Sequence, residues 1–184
     1  CLKYNAKLIS FATSEICFPF TNVYGISKDS AEKLVKHYSD IYGLKAVSIR
    51  HFMIYGPGVV ATKYKSALDQ WANAIVKGES FNVHKGTVRA WCHIDDFVDA
   101  IELIVKEEDF KKFRTYNIGT EDYRTMLSVA KIFGKNFTTT EPTKILTKVK
   151  KGDFKSIKKL GWKPKISFEE GINQLINWNK TCQN

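Results

Sequence analysis

The chain has 184 residues, of which 43% are hydrophobic and 13% aromatic, and it carries a formal net charge of +10. This length and composition suit a folded protein with one main core, and they exclude a disordered or fibrous chain. No apolar run approaches the ~20 residues that cross a membrane, and the first residues lack the basic-then-apolar pattern of a secretion signal. We therefore expect a cytoplasmic protein without a membrane-embedded part.

Cysteine and lysine usage narrows the functional classes further. The four cysteines are widely scattered and form no Cys-x-x-Cys pair, which predicts free thiols in a reducing compartment and no metal site. Nine lysines and one acid, Asp153, lie between positions 144 and 165. Nucleic-acid binders mix arginine and exposed aromatic residues into such patches, whereas this run is almost purely lysine. A solvated surface is therefore favoured, with a basic nucleic-acid-associated module as an alternative.

The first three predicted elements form a parallel βαβ unit. Residues 7–12 (KLISFA) are a short apolar run followed by polar residues, which is typical of a buried strand. Apolar residues recur every three or four positions over residues 24–42, which predicts an amphipathic helix that ends at Gly43. Residues 46–49 (AVSI) predict a second strand, and this order favours parallel pairing. Ligands of such sheets bind beyond the carboxyl ends of the strands.

The rest of the chain alternates between helices and short strands. Residues 55–58 (YGPG) predict a loop by composition. A serine followed three residues later by glutamate at 167–170 (SFEE) predicts the start of a last helix, which runs to Trp178. The other predicted elements are helices at 65–77, 93–105 and 126–133 and strands at 81–83 and 115–118.

Tyr24 and Lys28 are the first candidates for chemistry. In the segment YGISK at 24–28 they lie four residues apart on the opening turns of the predicted helix, and hence on one face. An ammonium group near a phenol favours the phenolate, which suits a tyrosine for proton transfer. The pair alone is a weak signal, because both residue types are common on helix surfaces. Its context strengthens it, since Thr13 and Glu15 follow the first strand and put a hydroxyl and a carboxylate where a ligand would lie.

Several motifs in a fixed order give the chain a resemblance to a known family. They are TSE at 13–15, YGISK at 24–28, RHFMIYGPG at 50–58, GTVRAWCHIDD at 86–96, YNIG at 116–119 and LGWKP at 160–164. Together they resemble the extended short-chain dehydrogenase/reductase family, specifically its nucleotide-sugar epimerases and dehydratases. Because the motifs occur together across nearly the whole chain, the resemblance is far more specific than any one of them.

The resemblance implies a fold, a cofactor and an assembly. The implied fold is α/β, a partial Rossmann-like parallel sheet with a small C-terminal substrate-binding subdomain, and the implied cofactor is NAD or NADP. Residues 1–58 match the C-terminal part of the cofactor-binding domain. Residues 59–184 match mainly the subdomain for the nucleotide-diphosphate sugar, with 94–118 returning to the sheet. The helix that opens with Tyr24 contributes to a helical-bundle dimer in the family, so a homodimer is expected.

The resemblance also implies roles for single residues near the sheet. Tyr24 matches the residue that transfers the proton, Lys28 its partner, and Thr13 the residue that binds the substrate hydroxyl, which together form a catalytic triad. Glu15 matches a carboxylate that dehydratases of the family use as a base. Phe52 matches a residue that lines the nicotinamide site, so Tyr24, Lys28 and Phe52 are the expected cofactor contacts.

Two further positions are expected to contact the substrate. Arg89 matches an arginine that binds the nucleotide diphosphate, and its forked guanidinium suits phosphate oxygens. A surface salt bridge between Arg89 and Asp95 or Asp96 is the alternative. Met53 stands where relatives commonly have a substrate-binding asparagine, so a polar contact is lost there.

Two parts of the family pattern are missing from this chain. It has no Gly-x-x-Gly-x-x-Gly turn, which lets the cofactor pyrophosphate approach a helix N-terminus. Only ten residues separate Thr13 from Tyr24, fewer than in the substrate-facing loop of the family. We therefore expect NAD(P)-dependent epimerisation or dehydration only with an N-terminal half present, and no turnover by the chain alone. A non-catalytic remnant that binds nucleotide sugars is the alternative.

Overall fold

The computed structural model describes residues 1–19, 22–58, 66–141 and 149–181. Two short 3-10 helices, Leu2–Tyr4 and Ser14–Cys17, accompany the strands and α-helices. The strands are β1 (Leu8–Thr13), β2 (Ala46–His51), β3 (Ile54–Tyr55), β4 (Phe81–His84), β5 (Val88–Arg89), β6 (Cys92–His93), β7 (Arg114–Ile118), β8 (Arg124–Thr125) and β9 (Phe137–Thr140). The helices are α1 (Val23–Tyr42), α2 (Ala67–Lys77), α3 (Ile94–Glu107), α4 (Met126–Phe133), α5 (Lys155–Lys159) and α6 (Phe168–Thr181).

The chain divides into two compact units, each built from three segments. The first unit comprises Cys1–Phe52, Val98–Gly119 and Gly152–Lys163. The second unit comprises Met53–Phe97, Thr120–Lys151 and Pro164–Asn184.

A three-stranded parallel sheet in the order β1-β2-β7 forms the centre of the first unit. Leu8 pairs with Ala46, and Val47 pairs with Arg114. The central strand β2 is buried over its first four residues, on both faces of the sheet. This is why residues 46–49 (AVSI) do not alternate between apolar and charged side chains. The predicted α/β class and parallel sheet are confirmed, and the carboxyl ends of the three strands lie at one end of the sheet.

Helix α1 has clear local start and stop signals. The Asn22 side chain accepts the Gly25 N–H at 2.9 Å and caps the first turn. Gly43 ends the helix as predicted, because its φ of 70° is a left-handed conformation that other residues adopt at a cost. The residues that α1 buries are Gly25 and Glu32. Most of its apolar residues are exposed instead, as Leu34 at 61% shows.

An aromatic and aliphatic core fills the second unit. Trp71 of α2 stacks on Phe81 at 5.0 Å between ring centroids and meets Phe133 of α4 edge-on at 5.7 Å. Leu175 of α6 is fully buried in the same cluster. The predicted helix start at residue 65 lies outside the described residues, and the described helix begins after Ser66, whose side chain accepts the Asp69 N–H.

The pairing of the short strands was the main local feature that the sequence did not predict, although the strand predicted at 81–83 is present as β4. β3 pairs with β6 and β4 with β9, both parallel, whereas β5 pairs antiparallel with β8. The first residue of the predicted loop at 55–58, Tyr55, therefore belongs to a strand. Two-residue strands have no periodicity of their own, because long-range pairing alone defines them.

The described part of the lysine-rich run contains a short helix. In α5, Ile157 is fully buried, and Phe154 just before it is 2% exposed. The lysines of α5 remain exposed. Lys144 and Lys148, also part of this run, lie outside the described residues.

Three global expectations concern membranes, metals and thiols. Within the described residues no helix has the length and apolar character needed to cross a bilayer. The same part of the chain contains no group of three or more histidine, cysteine or acidic side chains able to hold a metal ion. Cys1, Cys17 and Cys92 are free thiols, and Cys182 lies outside the described residues.

Candidate functional site

The carboxyl end of β1 presents a hydroxyl and a carboxylate in sequence. Thr13 is 4% exposed and caps the short helix Ser14–Cys17. Its Oγ1 accepts the Glu15 N–H at 3.4 Å, a long bond that leaves the hydroxyl hydrogen available to a ligand. Glu15 itself is half-buried. Thr13 therefore ends the strand and Glu15 follows it, at the end of the sheet where open α/β sheets bind ligands.

Lys28 reaches this end of the sheet from α1. Its Nζ donates to the Phe11 carbonyl oxygen of β1 at 3.0 Å, so the ammonium lies beside the last stretch of backbone before Thr13. Tyr24, one helical turn earlier, is 48% exposed. Among the described residues the Tyr24 hydroxyl makes no hydrogen bond, to Thr13 or to any other group.

His51 is a neighbour of this site that the sequence did not reveal. It ends β2 and pairs with Thr13 across the sheet. Burial lowers the pKa of His51, and the positive charge of Lys28 lowers it further. The imidazole is therefore neutral at pH 7, and it adds no positive charge beside Lys28.

A buried ion pair that sequence reasoning also missed anchors α1 to β2. Glu32, 7% exposed, accepts the Ser48 hydroxyl at 2.6 Å and Arg50 Nε at 3.0 Å, and Arg50 Nη2 makes a further bond to its other oxygen. Hydrogen bonding to Glu32 raises the pKa of the Arg50 guanidinium above its usual value. Its position in the sequence could have indicated that Glu32 is buried, since it lies four residues after Lys28 on the same helix face.

Cys17 lies at the same end of the sheet. Arg50 Nη1 donates to its sulfur at 3.9 Å, and the sulfur lies 4.0 Å from Asn117 Oδ1. Desolvation raises the pKa of the Cys17 thiol more than Arg50 lowers it. The thiol is therefore protonated near neutral pH and is a poor nucleophile.

Phe52 lies inside an aromatic cluster of the first unit. It is 3% exposed, with ring centroids 5.1 Å from Phe154 and 6.4 Å from Phe18. Gly119 passes so close that an added Cβ would come within 2.7 Å of Phe52 Cβ. The cluster fixes the Phe52 ring firmly, and it offers an apolar wall rather than a mobile surface.

Arg89 and Met53 belong to the second unit. Arg89 is 5% exposed and donates to the neighbouring Val88 carbonyl at 2.8 Å. Asp96 accepts the backbone N–H groups of Lys165 and Ile166. Met53 has a φ of 42°, a conformation that asparagine tolerates better than methionine.

Comparison with known sequences places these features in a wider context. The model of the NAD dependent epimerase/dehydratase family matches residues 7–119. A trifunctional UDP-glucose 4,6-dehydratase/UDP-4-keto-6-deoxy-D-glucose 3,5-epimerase/UDP-4-keto-L-rhamnose-reductase of Arabidopsis thaliana is 27% identical over 173 residues, which cover 86% of this chain and 24% of the relative. UDP-glucuronate 4-epimerase 5 of the same plant is 26% identical over 181 residues, covering 85% of this chain and 41% of the relative. The chain thus spans well under half of either relative.

Solved structures share the fold. The UDP-glucose 4-epimerase of Thermotoga maritima with UDP-glucose has a TM-score of 0.87 at 24% identity, covering 100% of this chain and 66% of that chain. The UDP-glucose 4-epimerase of Thermus thermophilus in complex with NAD has a TM-score of 0.84 at 22% identity, covering 98% of this chain and 66% of that chain. At these identities the likeness establishes the architecture and says nothing of the substrate.

Proposed function

The chain belongs to the NAD dependent epimerase/dehydratase family, and we propose that it is the C-terminal part of an enzyme that epimerises or dehydrates a nucleotide-diphosphate sugar. The single observation that carries this proposal is the 3.0 Å bond from Lys28 Nζ to the Phe11 carbonyl. It holds the ammonium against β1 two residues before Thr13, with Tyr24 one turn away on the same helix.

In the proposed mechanism these residues bind the sugar and move its protons. The Thr13 hydroxyl binds the sugar hydroxyl at the carbon that becomes a ketone, and Tyr24 takes the proton of that hydroxyl and later returns it. The charge of Lys28 stabilises the phenolate in the interval. In a dehydration, Glu15 is the base that removes a proton from the carbon next to the ketone. The C–O bond at the following carbon then breaks, and the proton held by Glu15 passes to the departing hydroxide, which leaves as water.

The chain's residues fit one end of the cofactor. Lys28 and Tyr24 offer donors for the nicotinamide ribose, and Phe52 belongs to an aromatic cluster of the same unit. NAD or NADP, when bound, would supply the acceptor and later the donor of the sugar's hydride. The described residues provide no glycine-rich turn between a strand and a helix, so we propose that the pyrophosphate is held by an N-terminal half.

The side of β1 that faces away from β2 supports the proposal that an N-terminal half completes the sheet. Among the described residues β1 pairs with β2 alone, and Phe11 on this strand is 47% exposed. An unpaired edge strand with an exposed aromatic residue is unusual in a complete sheet, because it invites pairing with another strand. A further parallel strand from the N-terminal half would cover it and would complete the cofactor domain.

Substrate recognition is proposed for two residues of the second unit. Arg89 binds the diphosphate, for which a buried and forked guanidinium is well suited. Met53 faces the sugar in place of the asparagine that the family commonly uses, so this enzyme would accept a less polar group at that contact.

A homodimer is proposed through the exposed stripe of α1. Val23, Leu34 and Ile41 are 79%, 61% and 63% exposed, and Tyr38 and Tyr42 extend the same surface. Leu34, Tyr38, Ile41 and Tyr42 are neighbours at helical spacing, and an exposed apolar surface of this kind marks a protein interface. We expect Leu34→Glu together with Ile41→Glu to give a monomer by light scattering, while Lys33→Glu leaves the dimer intact. An unchanged mass for the double variant would contradict the dimer through α1.

The activity is tested in a version with the N-terminal half restored. UDP-glucose and UDP-glucuronate, followed by NMR, serve as probe substrates, and we expect turnover by the restored enzyme and none by the 184-residue chain. Tyr24→Phe should lower the rate by about 10²–10⁴-fold, the usual contribution of a positioned acid-base group. Tyr4→Phe, an exposed tyrosine in the first 3-10 helix, is the matched control. Equal rates for the two variants would remove Tyr24 from the mechanism.

The shortened segment between Thr13 and Tyr24 favours one competing function, a non-catalytic protein that binds nucleotide sugars. Calorimetry with UDP-glucose distinguishes the two. Binding that depends on Arg89 without turnover in the restored enzyme would favour the remnant, whereas turnover that depends on Tyr24 would exclude it. We also expect a reducing compartment such as the cytoplasm, which fits the free thiols of Cys1, Cys17 and Cys92.

A further inference from the structure

The second edge of the sheet in the first unit is formed by β7. The Phe52 N–H donates to the Ile118 carbonyl, so the backbone groups of Ile118 point towards β2. Because these groups alternate in direction along a strand, those of Thr115 and Asn117 point away from β2. Within the described part of the chain no strand pairs with β7 on that side. The edge therefore carries two N–H donors and two carbonyl acceptors in the orientation that an added strand would need.

A groove runs along this edge. It has a volume of about 750 Å³, which lies within the range of sites that hold ligands. Its lining includes five consecutive residues, 113–117, together with Asp153, Lys155, Ser156 and Lys159. Successive side chains of a strand point to opposite faces of its sheet, so a cavity lined by five residues in a row follows the edge and not a face. Five residues extend roughly 16 Å, enough for a short peptide.

The charge of the groove is positive. Its lining contains three basic residues and one acid, Asp153. Arg114 is already paired with Glu108 at 3.0 Å, so Lys155 and Lys159 carry the available charge. The Lys155 ammonium lies 4.0 Å from Asp153, and the two side chains are 85% and 65% exposed, which makes this a weak pair. Both lysines can therefore turn towards an anionic ligand.

We propose that the groove between β7 and α5 binds an extended acidic peptide of a partner protein as an additional strand of the sheet. Backbone bonds to Thr115 and Asn117 would hold the peptide, and acidic side chains at alternate positions would face Lys155 and Lys159. This recognition is independent of the proposed catalytic residues, and it takes place at the opposite sheet edge from β1.

Lysine near an exposed edge has a second known use, which is to keep other strands away. The two uses make opposite predictions for a peptide of complementary charge, since a protective edge binds no strand at all. The test is therefore direct binding by the 184-residue chain. The probe is a fluorescein-labelled octapeptide of alternating Glu and Val, measured by fluorescence anisotropy against an alternating Lys-Val octapeptide.

We expect the Glu-Val peptide to bind and the Lys-Val peptide not to bind. Lys155→Glu with Lys159→Glu should weaken the Glu-Val peptide by about 10-fold and create binding of the Lys-Val peptide. Lys158→Glu makes the same charge change on α5 outside the groove lining, and it should alter the affinity by less than about 2-fold. No binding up to about 1 mM peptide, or equal losses with all three substitutions, would overturn the proposal.

Backbone recognition is tested separately. Thr115→Pro removes one outward N–H while leaving the bonds to β2, a substitution that edge strands tolerate, and it should weaken the peptide by about 10-fold or more. Circular dichroism checks that this variant is folded. With the unaltered protein, N-methylation of one alternate set of peptide amides should abolish binding, and methylation of the other set should not. Unchanged binding to a folded Thr115→Pro variant would overturn the proposal, because the peptide would then lie elsewhere, for example on β1. Equal binding of both methylated peptides would also overturn the proposal, because the peptide would then adsorb by charge alone.

Discussion

The ion pair between Glu32 and Arg50 offers the most informative single perturbation. Glu32→Gln keeps the shape and helix propensity of the side chain but removes its charge. The substitution leaves the Arg50 guanidinium, with a side chain only 26% exposed, without its counter-charge. It also places an amide NH₂ among groups that donate to Glu32 in the native protein, namely Arg50 and the Ser48 hydroxyl. We expect the free energy of unfolding to fall.

The size of the loss follows from the hydrogen bonds involved. A bond to a charged group contributes about 1.5–3 kcal/mol and a neutral one about 0.5–1.5 kcal/mol. Two Arg50 bonds lose this difference, which amounts to roughly 2–3 kcal/mol, and partial access of water to Arg50 recovers some of it. We therefore expect a loss of about 2 kcal/mol. The exposed pairs on the same helix provide controls, since Asp29→Asn and Asp40→Asn break i,i+4 contacts worth about 0.5 kcal/mol or less.

Urea unfolding followed by circular dichroism measures these changes. With a slope of about 2 kcal/mol per M, the midpoint of Glu32→Gln should fall by about 1 M while the slope stays constant. A midpoint shift no larger than that of Asp40→Asn would refute the reasoning. It would mean that the ion pair is no more protected from solvent than an ordinary surface pair. In the restored enzyme the same variant should also lose activity, because α1 carries Tyr24 and Lys28.

Three further outcomes are expected. Lys28→Met should raise the pKa of His51, measured by NMR, because it removes a charge that lowers it. Since the folded pKa lies below the unfolded value, His51 contributes stability above about pH 6.5 that is lost as the pH falls through the folded pKa. Gly171→Ala should lower stability by about 1–3 kcal/mol in urea unfolding, because an added Cβ would lie 2.2 Å from the Tyr55 hydroxyl. Iodoacetamide should leave Cys92 unlabelled in the native chain, because burial raises the pKa of its thiol to about 12.

Each of these outcomes has a matched control. Lys33→Met, on the same helix as Lys28 but paired with Asp29, should leave the His51 titration unchanged. Asn173→Ala, at an exposed position of α6, should stabilise that helix by a few tenths of a kcal/mol, the opposite sign to Gly171→Ala. The exposed Cys1 should be labelled readily, and denaturant should make Cys92 equally reactive. A change of the same sign in variant and control would contradict the corresponding prediction.

Local signals in the sequence were enough to predict the framework of the sheet and of α1. The apolar run at residues 7–12, the helical periodicity at 24–42 and the run at 46–49 each depend on neighbours in the chain, and parallel pairing follows from their order. Gly43 and the serine at position 167 could be assigned as helix ends for the same reason, and Ser167 Oγ does accept the Glu170 N–H at 3.2 Å. The family resemblance then supplied roles for Tyr24 and Lys28 that no periodicity could give.

By itself, the sequence determined the order of the main elements, the parallel class of the sheet and the placement of candidate residues at strand ends, because all of these follow from patterns a few residues long. Only the tertiary structure decided which side of α1 is buried. Helical periodicity fixes an apolar face but not its partner, and here the sheet receives Glu32 while Leu34 and Ile41 stay exposed. The short strand pairs and the packing of α5 beside β7 were likewise decided by contacts between distant residues. Their energies depend on closing long loops of chain, which no local pattern records.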